Sequence, residues 1–270
     1  MTRMDKVLAF DLSADMAFFR RGYTTTSPLT YSFPPKTVIS GFLAAVLGKK
    51  NSRYRGVFNR SSVAIVISSP LRKQFIVQNL LYLKGSDDYN RTERRLQAPF
   101  HYIMHPRYRV YFYLEGYYYE QLKQMLENGE SVYTPYLGVA NCIADITYHG
   151  EYEVSEREVS NGSAEIASVI PLDTVPIGSI DFSAGESGLR LIREKIPVSM
   201  DESRVVLKYS DIIFAEPVAV PEGKEPKVAH SSIGSSPDNG GFYQSRLKLT
   251  SGKYWEVRSK SGAVENVIFF

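Results

Sequence analysis

The strongest constraint in this chain is the order in which its apolar periodicity changes. Val7-Leu-Ala-Phe-Asp-Leu12 is a short apolar run that reads as a strand. Pro34-Pro35 then opens a helix in which Ile39, Phe42, Leu43 and Val46 recur at helical spacing, with Gly48 as its stop. Residues 63–67 are uniformly apolar and predict a central strand. Residues 108–114, rich in aromatic and β-forming side chains, predict another. Tyr118, Leu122, Met125 and Leu126 repeat the helical spacing up to Gly129, and residues 139–146 predict a fourth strand. The order β-α-β-β-α-β predicts an α+β fold of the ferredoxin-like kind, which RNA-recognition modules also use. A fold of this kind hosts many functions and decides none by itself.

This reading places a first domain at residues 1–148 and a smaller β-rich domain at 149–270. The second half shows short β-like runs at 166–170, 204–209, 211–214 and 253–257, separated by Gly, Ser and Pro clusters, with a long loop over 217–241. Residues 71–106 stand between the second and third strands, where the fold needs only a short turn. Connections that long are functional or disordered. This one holds Gln74-Phe-Ile-Val-Gln-Asn-Leu-Leu-Tyr-Leu83, too β-prone for a disordered loop, so it predicts a protruding hairpin arm that the core does not need. Its tip would carry Lys84, Arg91, Arg94 and Arg95.

Charge is divided unevenly along the chain. Residues 1–110 carry 18 Lys/Arg against 6 Asp/Glu, a net of +12; residues 111–270 carry 14 against 23, a net of −9. A basic half joined to an acidic half points to a polyanion on one side, against the plainer reading of clustered solvated charges. The 19 tyrosines, several among the arginines, suit backbone charge combined with base stacking. Cys142 is the sole cysteine, so no intramolecular disulfide forms, and no apolar run is long enough to span a bilayer. With no signal-peptide pattern at the N-terminus, the expectation is a cytoplasmic protein with no membrane contact.

Arg20 and Arg21 lie in a polar, aromatic loop over residues 13–33, and Lys36 with Thr37 begins the first helix, where free N–H groups favour phosphate. Tyr23, Tyr31 and Phe33 are placed to stack unpaired bases, although Tyr31 and Phe33 read equally well as a hydrophobic staple on the helix. The candidate RNA contacts are Arg20, Arg21, Tyr23, Thr30, Tyr31, Lys36, Thr37, Lys73, Arg91, Arg94, Arg95, His101, Arg107 and Arg109.

Two blocks carry a family resemblance. Phe19-Arg20, then Thr30-Tyr-Ser-Phe-Pro-Pro35 leading into Ser40-Gly41-Phe-Leu and Leu47-Gly48, resembles the CRISPR-associated Cas-five family. Tyr133-Thr-Pro-Tyr-Leu-Gly-Val-Ala-Asn-Cys142 resembles that family's second shared block. The likeness covers the first ~150 residues in organisation; the acidic C-terminal part adds little. It implies an RNA-binding ferredoxin-like domain with a thumb-like hairpin where this chain has its insertion. It also implies a place in the type I Cascade surveillance complex, holding the 5′ handle of the CRISPR RNA, capping the backbone filament and contacting the backbone and large subunits. Target DNA would be met only indirectly, in antiviral defence.

One branch of that family cleaves precursor RNA with a tyrosine, a lysine and a histidine. Metal-independent cleavage needs a base for the 2′-OH and an acid for the leaving oxygen, and histidine suits both. Tyr31, Lys36 and His101 are available, but no Lys-His dipeptide occurs and the cleaving pattern is not reproduced by position. His101 and His105 have i, i+4 metal spacing, yet Pro106 follows at once and opposes helix, so both read as RNA-contacting or structural. His149 and His230 have no acidic or cysteine partners at ligand spacing. Phosphate-loop, H-E-x-x-H and G-x-S-x-G motifs are missing, and Cys142 reads as a small core residue. Residues 107–113 lack the glycine of the RNA-recognition fingerprint, which moves expected binding from the sheet face to the loops and arm. The expectation is a noncatalytic subunit without cofactor or metal. A metal-independent endoribonuclease is the alternative, and an RNA-binding module of another pathway the third.

Overall fold

The computed structural model describes residues 4–24, 27–49, 54–81, 95–160, 162–182, 189–217 and 246–270. Its centre is an antiparallel sheet fed from both halves of the chain. In chain order its strands are β1 (Lys6–Ser13), β3 (Ser62–Ile67), β6 (Arg107–Tyr113), β7 (Asp145–Glu158), β14 (Lys253–Arg258) and β15 (Val264–Val267), arranged β15-β14-β7-β1-β6-β3. Helices α1 (Lys36–Val46) and α3 (Tyr117–Asn128), with the short α2 (Tyr54–Phe58), lie on one face.

Strand alternation explains why both faces are apolar. Leu8, Phe10 and Leu12, Val63, Ile65 and Ile67, and Tyr108, Val110 and Phe112 point toward the helices. Val7, Ala9, Ala64, Val66, Tyr111, Val154, Val257 and Val267 form a second core on the other face with Ala167 and Phe269. Backbone bonds tie the edges together: Ala167 N–H donates to Asn266 O at 2.9 Å and Val169 N–H to Ile65 O at 2.9 Å. Phe270 and Val63 exchange N–H···O bonds of 3.0 and 3.1 Å. The sheet therefore curls over its second core, which the C-terminal residues help to fill.

The predicted first helix and the first three strands appear with small shifts of boundary. Helix α1 follows Pro35 and stops at Gly48, whose φ of 68° is the left-handed turn that glycine permits. The fourth strand is displaced. Residues 139–144 form turns and one isolated bridge, Ile143 to Tyr136, with Leu137 N–H on Cys142 O at 2.8 Å and Cys142 N–H on Val139 O at 2.9 Å. The reason is pairing: β7 lies opposite β1 from Asp145↔Ser13 to Lys6↔Glu153, and β1 has ended where residues 139–144 lie. Residue 148, placed at a domain boundary by sequence, sits inside β7, and β14 pairs with that strand's far half. Gly138 packs so closely on the loop after β2 (Met16–Ala17) that a Cβ there would lie 1.9 Å from Phe18 O, at a φ of 95°. The two blocks that carry the family resemblance thus touch each other.

The rest of the C-terminal half is β-rich. Strands β8 (Ala164–Ile166), β10 (Ile180–Asp181) and β13 (Leu247–Leu249) form one small sheet; β9 (Ile170–Pro171), β11 (Leu189–Met200) and β12 (Val206–Pro217) form another, which packs on α1. The loop expected over 217–241 lies almost entirely outside the described residues.

The insertion is a hairpin. Strands β4 (Arg72–Leu81) and β5 (Arg95–Met104) pair from Arg72↔Met104 to Leu81↔Arg95, and β2 adds to the other edge of β5. One expectation fails at its base. Tyr102 and Ile103 are 1% and 0% exposed, Tyr102 packs on Phe18 with ring centroids 5.4 Å apart, and Gln78 donates to its hydroxyl at 2.5 Å. The base belongs to the core because its inner face covers Phe18; the outward face and the distal end stand clear, with Phe75, Val77 and Leu81 exposed. Replacing residues 80–96 by Asn-Gly, a favoured two-residue turn between the paired Asn79 and Gln97, will leave a cooperative urea transition. Tyr102→Ala will lower the unfolding free energy by about 3 kcal/mol; equal stability for that variant would return the base to the arm.

Candidate functional site

The loop before α1 is stitched down by its own backbone. Arg21 N–H donates to Leu29 O at 2.9 Å, Tyr31 N–H to Phe19 O at 2.8 Å, and Phe19 N–H to Thr30 Oγ1 at 2.9 Å. Thr30 is buried as a brace for the loop. Tyr31 lies beneath Arg21, whose guanidinium carbon is 5.4 Å from its ring centre. Burial, followed by the phenols of Tyr23 and Tyr209, pushes Tyr31 up to about 12, so it stays protonated. Phe33 packs edge-on against Phe214 of β12 at 5.5 Å, against the C-terminal hairpin instead of standing free for a base.

Polar contacts from this loop and from the arm converge on Glu194 of β11, 6% exposed. Arg21 Nη2 approaches its Oε1 at 2.6 Å, Ser32 Oγ donates to the same oxygen at 2.6 Å, and Ser32 N–H donates to Oε2 at 3.0 Å. Lys73 Nζ donates to Ser32 Oγ at 2.6 Å and lies 3.7 Å from Glu194 Oε1. Burial lowers the Lys73 pKa, opposed by the Glu194 charge. Alongside, on the outward face of the arm, His101 stacks on Phe75 with centroids 4.5 Å apart and planes at 16°. Burial lowers the His101 pKa, helped by the charges of Lys73 and Arg21, so the ring is neutral at pH 7. Arg20 and Tyr23 project beside Arg21; Tyr23 is 69% exposed and its hydroxyl accepts from Arg21 Nη1 at 3.1 Å.

Arg20, Arg21, Tyr23, Thr30, Tyr31, Lys73 and His101 therefore come together. The remaining candidates lie elsewhere. Lys36 is turned inward, its ammonium donating to Ser61 O at 2.5 Å and Phe270 O at 3.2 Å, and Thr37 beside it is half-buried. Arg109 points to the second core, where it holds Asp11 in a two-pronged contact of 2.8 and 3.1 Å that His149 joins at 2.9 Å. Burial raises the Asp11 pKa, but those hydrogen bonds outweigh it and leave the carboxyl below its usual range. Arg107 is exposed at the start of β6, and Arg95 is exposed on the distal arm. Arg91 and Arg94 lie outside the described residues. Cys142 is buried in the core, its thiol pushed up to about 11 by burial.

Sequence reading missed Glu194 and Ser32. A signal existed: Ile192, Glu194 and Ile196 alternate along one strand, which puts a carboxylate on an otherwise apolar face. Such a group must find donors.

Residues 7–210 match the family described as CRISPR-associated protein (Cas_Cas5). The chain belongs to that family. No curated protein matches it. Solved structures similar to this Cas_Cas5 member include a CRISPR RNA-guided surveillance complex, at 12% identity and TM-score 0.48, over 78% of this chain and 90% of that one. A CRISPR protein from Archaeoglobus fulgidus is similar at 13% identity and TM-score 0.45, over 97% and 99% of the two chains. The Type III-B Cmr-beta bound to cognate target RNA and AMPPnP is similar at 13% and 0.39, over 79% and 84%.

The inward Lys36 gives this Cas_Cas5 member a testable signature. Burial lowers its pKa from 10.5 to about 8, so between those values the unfolded chain binds more protons than the folded one. Stability contributed by this site is smallest below pH 8 and rises toward pH 10. Lys36→Met will abolish that rise in urea titrations. A rise that persists in this variant would assign it to another group.

Proposed function

We propose that this protein is a noncatalytic RNA-binding subunit of a type I CRISPR surveillance complex, working in the cytoplasm in antiviral defence. It holds the 5′ handle of the CRISPR RNA, caps the backbone filament, and contacts the backbone and large subunits, meeting target DNA indirectly. Family membership supports the setting. One observation carries the RNA-binding reading: Arg21 meets the Tyr23 hydroxyl and shares Glu194 with Lys73, whose charge bears on His101 in the Phe75–His101 stack, and Arg20 stands exposed next to Arg21. Cations that follow a backbone beside rings that stack bases are what single-stranded RNA requires. The strand order β7-β1-β6-β3, with α1 after β1 and α3 after β6, supports reading the N-terminal part as ferredoxin-like with a thumb inserted between its second and third strands. The exposed Phe75, Val77 and Leu81 of that thumb suit a neighbouring subunit or bases.

Arg20→Gln, an exposed position, will reduce the slope of log affinity against log salt by about 0.7 for single-stranded repeat RNA. Phe75→Ala will weaken binding by about 1–3 kcal/mol with the slope unchanged. Wild-type behaviour in both variants would place RNA elsewhere.

A second reading has an observation of its own. Tyr31, Lys73 and His101 gather around Ser32 and Glu194, and a neutral imidazole beside cations suits a general base for a 2′-OH. The noncatalytic reading expects the purified protein to leave a repeat transcript intact with or without EDTA. Discrete products that vanish in His101→Ala or Lys73→Ala would replace it with a metal-independent endoribonuclease.

A further inference from the structure

Glu194 is a carboxylate at the heart of a site read here as one for a polyanion. It stands on the inner face of the β11–β12 hairpin with Ile196, Ile212 and Phe214, all buried. The side chains of Arg21 and Lys73 that meet it are 22% and 23% exposed, against 4% for its own. The anion therefore lies deeper than the cations it holds. Arg21 is gripped at each nitrogen: Nε donates to Thr30 O at 3.0 Å, Nη1 to the Tyr23 hydroxyl at 3.1 Å and Nη2 to Glu194 Oε1 at 2.6 Å. Two of its five N–H groups have no partner among the described residues. Lys73 donates to Ser32 Oγ, which donates on to the same Glu194 oxygen. The loop and the base of the arm are thus joined through one carboxylate.

We infer that Glu194 is a positioning residue for RNA: it fixes Arg21 and Lys73 at one spacing, and with them the loop against the arm, before a phosphate arrives. The inference rests on the RNA-binding reading and adds to it a residue of the opposite charge sign. Simple electrostatics gives the reverse expectation, since a negative charge beside a polyanion repels it and its removal would strengthen binding. Positioning predicts that removal weakens binding, because two long side chains must then be ordered at the expense of the RNA contact. Glu194 also governs the charge of Lys73. Burial lowers the Lys73 pKa; Glu194 and Glu216 oppose this, while Arg21 and Arg190 add to it. Arg190 and Glu216 pair with each other, and His101 on the neighbouring strand is neutral at pH 7, which leaves Glu194 as the counter-charge nearest to hand. Without it the ammonium loses its proton at a lower pH.

The test titrates single-stranded repeat RNA into the full-length protein over a range of salt and pH. Glu194→Gln keeps the shape of the side chain and removes its charge. At pH 7 it should weaken binding about ten-fold with the salt slope unchanged, because the lost rotamer entropy is not screened by salt. As the pH is raised, the slope should fall by about 0.7 when Lys73 deprotonates, and this step should come at a lower pH in Glu194→Gln than in wild type. Lys73→Gln should remove the step from both. Ser32→Ala alters no charge and takes away the hydroxyl between Lys73 and Glu194; it should weaken binding about three-fold, and it carries the test if Glu194→Gln fails to fold. Affinity at or above wild type in Glu194→Gln, or at wild type in Ser32→Ala, overturns the positioning role and leaves the RNA site standing. Weaker binding by Glu194→Gln with an unmoved pH step marks a general loss of structure and overturns it as well. If wild type binds no RNA, the positioning role and the RNA-binding reading fall together.

Discussion

A carboxylate taken out of water costs several kcal/mol unless charge and hydrogen bonds replace its hydration. Glu194 is in that position, and the parts of the molecule that surround it are where they are because of what it requires. Its partners come from different stretches of chain: Arg21 and Ser32 from the loop before α1, Lys73 from the base of the arm. The carboxylate itself comes from the C-terminal hairpin. Removing one partner would leave a buried charge short of donors, which typically costs 3–5 kcal/mol, so the three segments hold one another in place. The functional consequence is pre-organisation. Two cations gathered around one anion keep an excess of positive charge while losing much of their rotamer freedom before any ligand arrives.

The same dependence between halves runs through the main sheet. Its second apolar face would stand in water were the C-terminal residues not folded across it, since Ala167, Val257, Val267 and Phe269 complete that core. The N-terminal part alone would expose Val7, Ala9, Ala64 and Val66 together, a patch of the kind that soluble monomers avoid. Lys36 belongs to this closure. Its ammonium joins the carbonyl before β3 to the carbonyl of Phe270, so the basic residue at the start of α1 pins the end of the chain to the sheet edge.

This explains what could be read from the residues and what could not. The strands at β1, β3 and β6 and the helices α1 and α3 are local, strongly periodic segments, and their pattern names them. The arm was legible because a β-prone run interrupts a connection the fold makes in a few residues. The limits of β7 were not, since its outer residues are glutamates and only pairing with β1 and β14 decides where it begins and ends. The inward turn of Lys36 escaped for a similar reason: a lysine at a helix start reads as a phosphate ligand until a long-range carbonyl claims it. At the site, Arg21, Tyr31 and Lys73 announced themselves by type, but the anion that gathers them lies more than 160 residues from Arg21 and Ser32 and carries the opposite charge sign.

In the proposed reading, an acidic half lies beside a site for RNA. Pairing lessens the repulsion. Glu151 is held by Lys6 and Lys123 at 3.1 and 3.3 Å, Asp211 by Arg193 at 3.1 Å, and Glu265 by Arg109 at 3.7 Å. Where such pairs are exposed they add little to stability, with a median of about 0–1 kcal/mol, but all of them turn single charges into dipoles. A dipole's field falls faster with distance than that of a lone charge, and salt screens what remains beyond about 10 Å. Arg20, Arg72, Arg95 and Arg107 make no ion pair among the described residues. The positive field is concentrated where the loop and arm are, and the paired carboxylates of the other half act over shorter distances. Proximity to an acidic half is then compatible with binding a polyanion, and Glu194, the most buried of those carboxylates among the ion pairs, strengthens the basic ledge by holding its cations in register.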